Sequence, residues 1–167
     1  MKTVSYTIYI VKRKEGNKTM VDRTCAERIE EHYNNTLEYI HTASEYFDLD
    51  EDEREGHPEH ASEYCNYEDF FDCINQYGLS WDYVCKEDDP KGWGFYRWQL
   101  SWGGPSDEFR IYTKNEDTNE IAKIEYRFHD WFDGAGKWCG DSLVKHCAEM
   151  FLECEEKMPY EHEQEAA

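Results

Sequence analysis

Two turns in the second half of the chain gather the residue types that acid–base and nucleophilic chemistry needs. Ser106 and Asp107 follow Gly103-Gly104-Pro105, while His129, Asp130 and Asp133 bracket Trp131-Phe132 just before Gly134. A hydroxyl, an imidazole and carboxylates held together could form a small hydrolytic or metal-dependent site. The same spacing is ordinary turn chemistry, because Asp beside Gly bonds neighbouring backbone amides. No Gly-x-Ser-x-Gly elbow, no phosphate-cradling glycine loop with its Lys, and no deaminase signature accompanies these residues. Turn chemistry is the preferred reading of both turns, Gly103–Asp107 and Asp130–Gly134. An enzyme using the acids near Asp107 and Asp130 is the alternative.

Metal chemistry fares no better. Asp48-x-Asp50-x-Asp52 with Glu59 imitates a calcium loop, but the sixth position, which needs Gly for a sharp turn, is Glu53, and Pro58 precedes the would-be bidentate ligand. Cys139, His146, Cys147 and Cys154 lie close together without any Cys-x-x-Cys pair. Cys147 and Cys154 fall on the apolar stripe of a helix, where thiols act as small hydrophobes. His57 and His60 are three residues apart, not the four that puts two histidines on one helical face. The expectation is a chain without metal or cofactor.

The strongest signal is charge. The 167 residues carry 38 Asp and Glu against 18 Lys and Arg, a formal net charge of −20. Twelve carboxylates and one fixed cation, Arg54, lie between Glu45 and Asp72, and seven more acids fall between Glu149 and Glu165. Charge this dense stores self-repulsion that opposes compaction. Duplex DNA carries one negative charge per roughly 1.7 Å of axis, so −20 matches roughly 34 Å, about ten base pairs. Helical carboxylates three or four residues apart have Cβ atoms about 5–6 Å apart, a scale fit for copying a phosphate row. Glu45, Asp48, Asp50, Glu51, Asp52, Glu53, Glu55, Glu59 and Glu63 are the candidate contact residues. The bland reading is a solvated acidic surface. Nucleic acid and anionic membranes are both repelled, so a partner would be basic.

Composition also bounds the class. Six Trp, 13 Tyr and 8 Phe supply a core that disordered acidic chains lack. Stacking of bases on these aromatics would require basic neighbours, which the surrounding sequence mostly lacks. No run of about 20 apolar residues is present, and residues 2–11 lack a signal-peptide pattern. Seven cysteines without close pairs suit reduced thiols in a cytosol.

The elements that must position these residues follow from periodicity. Thr3–Val11 alternates and reads as a strand, followed by a turn around Gly16. Thr24-Cys-Ala-Glu27 is a capping box, and Ile29, Tyr33, Leu37, Ile40, Ser44 and Phe47 recur behind it at helical spacing. Residues 48–56 read as a loop. A second helix starts at Pro58, or alternatively near Asn66, with Tyr64, Phe71 and Ile74 inward and Gly78 as a left-handed cap. The period then changes to two. Strands are expected at 81–86, 95–102, 108–113 and 121–131, with Tyr96, Trp98, Leu100, Trp102, Phe109, Ile111, Ile124, Tyr126 and Phe128 on the buried face. Lys123, Glu125 and Arg127 take the wetter one. Gly134 and Gly136 end the meander. Asp141 or Ser142 caps a last helix that turns Leu143, Cys147, Met150, Phe151 and Cys154 inward, and Pro159 stops it. The result is one α+β domain over 1–158, an antiparallel meander of four to five strands on about three helices, with an acidic tail at 159–167.

Residues 95–136, above all LSWGGPSDEFRIY (Leu100–Tyr112) and IEYRFHDWFDGA (Ile124–Ala135), resemble a block found in small acidic proteins of phages and plasmids. The resemblance implies the company of mobile elements, which carry acidic inhibitors of restriction and CRISPR nucleases, several of them DNA mimics. The expected function is therefore non-enzymatic: an inhibitor that occupies the basic nucleic-acid channel of a host defence nuclease. An acidic adaptor without inhibitory action is a further alternative.

Overall fold

The computed structural model describes residues 9–11, 24–54, 56, 60, 63–89, 91–115 and 118–154. The residues expected to form the first turn, the start of a helix at Pro58 and the tail from Pro159 lie outside these, as do Glu55 and Glu59. No helix among the described residues is long and apolar enough to cross a membrane.

The chain builds a long helix, α1 (Cys25–Asp48), a four-residue helix, α2 (Glu51–Arg54), a short helix, α3 (Phe70–Tyr77), and a last helix, α4 (Ser142–Cys154). Helix α1 starts at the capping box: the Glu27 carboxylate accepts the Thr24 amide at 2.7 Å. Its buried stripe is Cys25, Ile29, Tyr33, Thr36, Ile40, Ala43 and Tyr46. Leu37, Ser44 and Phe47 of the expected stripe are only half-buried, because the helix is rotated to press Thr36 and Ala43 inward.

Six strands form one antiparallel sheet in the order β1-β6-β5-β4-β3-β2. They are β1 (Tyr9–Val11), β2 (Ser80–Val84), β3 (Phe95–Gln99), β4 (Ser106–Thr113), β5 (Ile121–Asp130) and β6 (Asp133–Cys139). Trp98 pairs with Phe109, and Phe109 with Tyr126, so the aromatic face is continuous across the register. Trp98, Leu100, Phe109, Ile111, Ile124, Tyr126 and Phe128 form the core with α1 and α4, as their alternation requires.

Five expectations are corrected. Gly134 and Gly136 do not end the meander but lie inside β6. Glycine is needed there because cross-strand side chains lie over the backbone: a Cβ at 136 would sit 2.5 Å from Glu125 Oε1, and one at 134 would sit 2.9 Å from His129 Nδ1. The expected second helix is interrupted: His60, Glu63 and Tyr64 are helical, and α3 begins anew at Phe70, capped by Asp69, whose side chain accepts the Asp72 amide at 2.8 Å. Gly78 has extended backbone (φ −81°, ψ 156°), so it is no left-handed cap. Trp102 falls beyond β3 and is 77% exposed. Cys154 is exposed, and α4 instead buries Val144, Cys147, Ala148, Phe151 and Leu152.

Candidate functional site

The strand-end acids are used by the fold itself. Asp133 Oδ2 accepts the Cys25 amide at 2.7 Å, satisfying one of the free donors at the start of α1, while its Oδ1 accepts the Gly134 amide. Asp130 pairs with Arg28 at 2.5 Å, and Arg28 lies over the Phe128 ring. Glu30 with Lys137 at 2.6 Å, Tyr33 with Cys139 Sγ, and His41 with Asp141 continue this line of contacts between α1 and the β6 end of the sheet. Asp141 also caps α4, accepting the amides of Leu143 and Val144.

Asp107 is placed differently. Tyr126 Oη donates to its Oδ2 at 2.6 Å, and Ser101 Oγ bonds its Oδ1. The carboxylate therefore ties β5 to the segment that follows β3. Asp107 and Asp130 therefore serve separate bonding groups. Ser106 and His129 pair on the opposite face of the sheet from Asp107. The five residues do not form one catalytic constellation.

The acid block is organised by one cation. Arg54 turns inward, donating from Nε to Tyr46 O at 3.2 Å and from its guanidinium to Phe47 O at 2.9 Å, with Tyr46 and Phe47 against its plane. It satisfies the carbonyls at the end of α1. Asp50 caps α2 through the Glu53 amide at 2.9 Å, so the calcium-like spacing is a helical turn. Glu45, Asp48, Asp50, Asp52, Glu53 and Glu63 are all exposed, and none makes an ion pair among the described residues. Glu51 lies in α2. Among the described residues no three His, Cys, Asp or Glu side chains converge as a metal-binding group.

The cations are elsewhere, on the sheet face turned away from the helices. Arg97 grips Asp82 through two bonds at 2.9 and 2.6 Å, and Arg110 pairs with Glu108 at 2.5 Å. Glu125, 0% exposed, accepts from Lys91 at 3.1 Å, Arg127 at 3.2 Å and Tyr112 Oη at 3.0 Å. Burial pushes its carboxyl up, but Arg127 and Lys91 outweigh burial and hold it below the ordinary carboxylate range. This face was expected to be wet. Instead it carries a buried charge network, because the register sets Glu125 across from Arg110 and next to Arg127.

At the end of this face, Lys123 Nζ lies 3.7 Å from the Trp93 ring centre, 4.5 Å from Trp138 and 4.8 Å from Tyr112. The basic neighbours that base stacking requires are thus present beside aromatics, contrary to the expectation from local sequence. Lys86, Lys91, Lys114 and Lys123 flank two loops, 85–94 and 114–120, which the antiparallel register brings to the same end of the sheet. Hairpin parity alone could have shown that coincidence. At the opposite end, Trp131 (83% exposed, φ 52°) sets its indole over Gly104, with Phe132 (80% exposed) beside it in the same turn. Comparison with known proteins gives no match: no family model, no curated protein and no solved structure is similar to this chain.

Proposed function

We propose that this protein is a non-enzymatic inhibitor from a mobile element that acts in the bacterial cytoplasm. In this reading it binds the basic nucleic-acid channel of a defence nuclease, a CRISPR effector or a restriction enzyme. The observation that carries the reading is the unpaired acid block. Glu45, Asp48, Asp50, Asp52, Glu53 and Glu63 are exposed and make no ion pair among the described residues, and Arg54 is turned inward to cap α1. The cations of the sheet, by contrast, are largely consumed in internal pairs. Concentrated unpaired charge costs folding stability that a basic partner's surface would return on binding. It would also steer association and make it salt-sensitive. The engagement of Asp107, Asp130 and Asp133 by groups of the fold supports a binding role over catalysis.

The test is inhibition of purified CRISPR effectors and restriction nucleases, together with direct binding across salt concentrations. The variant combines Glu45→Gln, Asp48→Asn, Asp50→Asn, Asp52→Asn and Glu53→Gln. Asn retains the cap at position 50, so the fold should survive. Loss of inhibition in the variant, with affinity falling steeply as salt rises, is the expected result. Binding that ignores both the substitutions and salt would sink the proposal.

A further inference from the structure

Beside Lys123 the sheet end opens into a cavity of about 620 Å³, within the usual range for small-molecule sites. Its lining includes Lys86, Lys114 and Lys123 together with Tyr83, Trp93 and Tyr112, and among the described residues that line it there is no carboxylate. Three lysines thus gather at one cavity in a chain of net charge −20. Lys114 is paired with Glu120 at the rim. Lys123 differs: it makes no hydrogen bond or ion pair among the described residues and is held only against three aromatic rings. Ring faces stabilise an ammonium but leave its N–H donors without oxygen acceptors. Burial, then the neighbouring Lys91, lowers its pKa against the opposing pull of Glu125 and Asp89.

The loop that carries Trp93 is fixed from behind. Asp89, itself buried, accepts the amides of Lys91 at 3.2 Å and Trp93 at 3.0 Å. Gly92 and Gly94 both take positive φ (67° and 66°), and at Gly94 the Tyr83 hydroxyl approaches so closely that a Cβ would lie 2.5 Å from it. The loop amides of 91 and 93 are therefore occupied, which leaves the lysine ammonium groups as the charged donors for an anion in the cavity. Trp93 stays 53% exposed, leaving surface for a planar group. Cationic donors beside an accessible indole suit a ligand that joins phosphate to an aromatic base.

We propose that this cavity binds a nucleotide, its phosphates against Lys123, Lys86 and Lys114 and its base against Trp93. The site is separate from the acid block and does not depend on the inhibitor reading. Calorimetry on the full chain at low ionic strength tests it, with adenosine triphosphate, adenosine and inorganic tripolyphosphate as probes. Saturable binding of the triphosphate is expected, with adenosine and tripolyphosphate each weaker by roughly tenfold or more, since stacking and charge both contribute. Trp93→Ala and Lys123→Gln should each weaken it by a similar factor at unchanged melting temperature. If either fails to fold, Lys86→Ala and Lys114→Ala, at exposed positions, carry the test. The acid-to-amide variant should bind the nucleotide at least as well as the parent, which separates this site from the inhibitor surface. Absence of saturable binding overturns the proposal, as does binding untouched by the lysine and tryptophan substitutions. Tripolyphosphate binding as tight as the nucleotide overturns the assignment of a base.

Discussion

Gly78 lies directly beneath the indole of Trp98: a Cβ built on it would come within 2.2 Å of Nε1 and 2.7 Å of Cδ1. Trp98 is 1% exposed and packed against Phe109 and Phe151, so it has no room to retreat. Gly78→Ala should therefore destabilise by about 1–3 kcal/mol through overpacking, although its backbone conformation suits any residue. Trp98→Ala should cost more, about 3–5 kcal/mol. Thermal unfolding of Gly78→Ala, of Trp98→Phe and of the two combined checks the cause. The double variant should recover part of the loss, and strictly additive losses would show that the clash is not responsible.

Glu125 is the counter-ion on which the far face of the sheet depends. Glu125→Gln keeps its shape but removes the buried negative charge that Arg127 and Lys91 share. The expected loss is about 3 kcal/mol, at the low end for a broken buried pair because Lys91 is one-third exposed. Its folded pKa is lowered, so its stabilisation is present above the ordinary carboxylate range. That contribution is lost as pH falls through the lowered folded value. Denaturant unfolding against pH should show the gap between parent and variant closing in acid.

Asp107 is expected to be a stability residue. Replacing it by Asn disturbs the bonds from Tyr126 and Ser101, and a hydrogen bond to a charged group is worth about 1.5–3 kcal/mol. Tyr126→Phe should cost a similar amount, and the two changes should be less than additive because they share one bond. A double-mutant cycle by chemical denaturation measures this coupling.

Much of the fold was legible because it rests on local chemistry. The capping box at Thr24, the alternation through Phe109 and Tyr126, and the cap at Asp141 are each written in a few adjacent residues. What the sequence concealed depends on partners far along the chain. Gly134 and Gly136 look like strand breakers until the side chains of His129 and Glu125 are placed over them. Lys123 looks solvated until Trp93, Tyr112 and Trp138 converge on it from three other segments. Asp130 and Asp133 look available for chemistry until Arg28 and the Cys25 amide arrive from α1, about a hundred residues away. The acid block was legible as charge, but only the geometry shows its single arginine bonded to the carbonyls that end α1.

The thiols divide by position. Cys65 and Cys154 are exposed, whereas burial pushes Cys25 up to about 11 and Cys147 up to about 12. The thiolate is the reactive form, so a maleimide should label Cys65 and Cys154 in the native protein and reach Cys25 and Cys147 only on unfolding. Mass spectrometry of labelled peptides reads this directly. Cys154→Ala should change stability by less than about 0.5 kcal/mol, and Cys147→Ala should cost on the order of 1 kcal/mol.

His129 gives the fold a pH dependence whose sign is fixed by its surroundings. Its ring lies close over Gly134 on the far face of β5. Burial lowers its pKa below the ordinary 6.5, and Arg127 and Arg110 lower it further, against the opposing pull of Glu108 and Glu125. As pH falls below that ordinary value, the unfolded chain takes up a proton that the folded chain still refuses. The contribution of His129 is therefore complete at neutral pH and declines as pH drops through its lowered folded value. Other groups titrate in the same range, and protonation anywhere relieves the net negative charge, so the parent's profile alone is no test. The difference between parent and His129→Gln isolates the residue, measured by urea unfolding from about pH 8 to about pH 5. The parent should lose stability relative to the variant as the solution is acidified. Parallel profiles would mean that the imidazole protonates as readily in the folded sheet as in the unfolded chain.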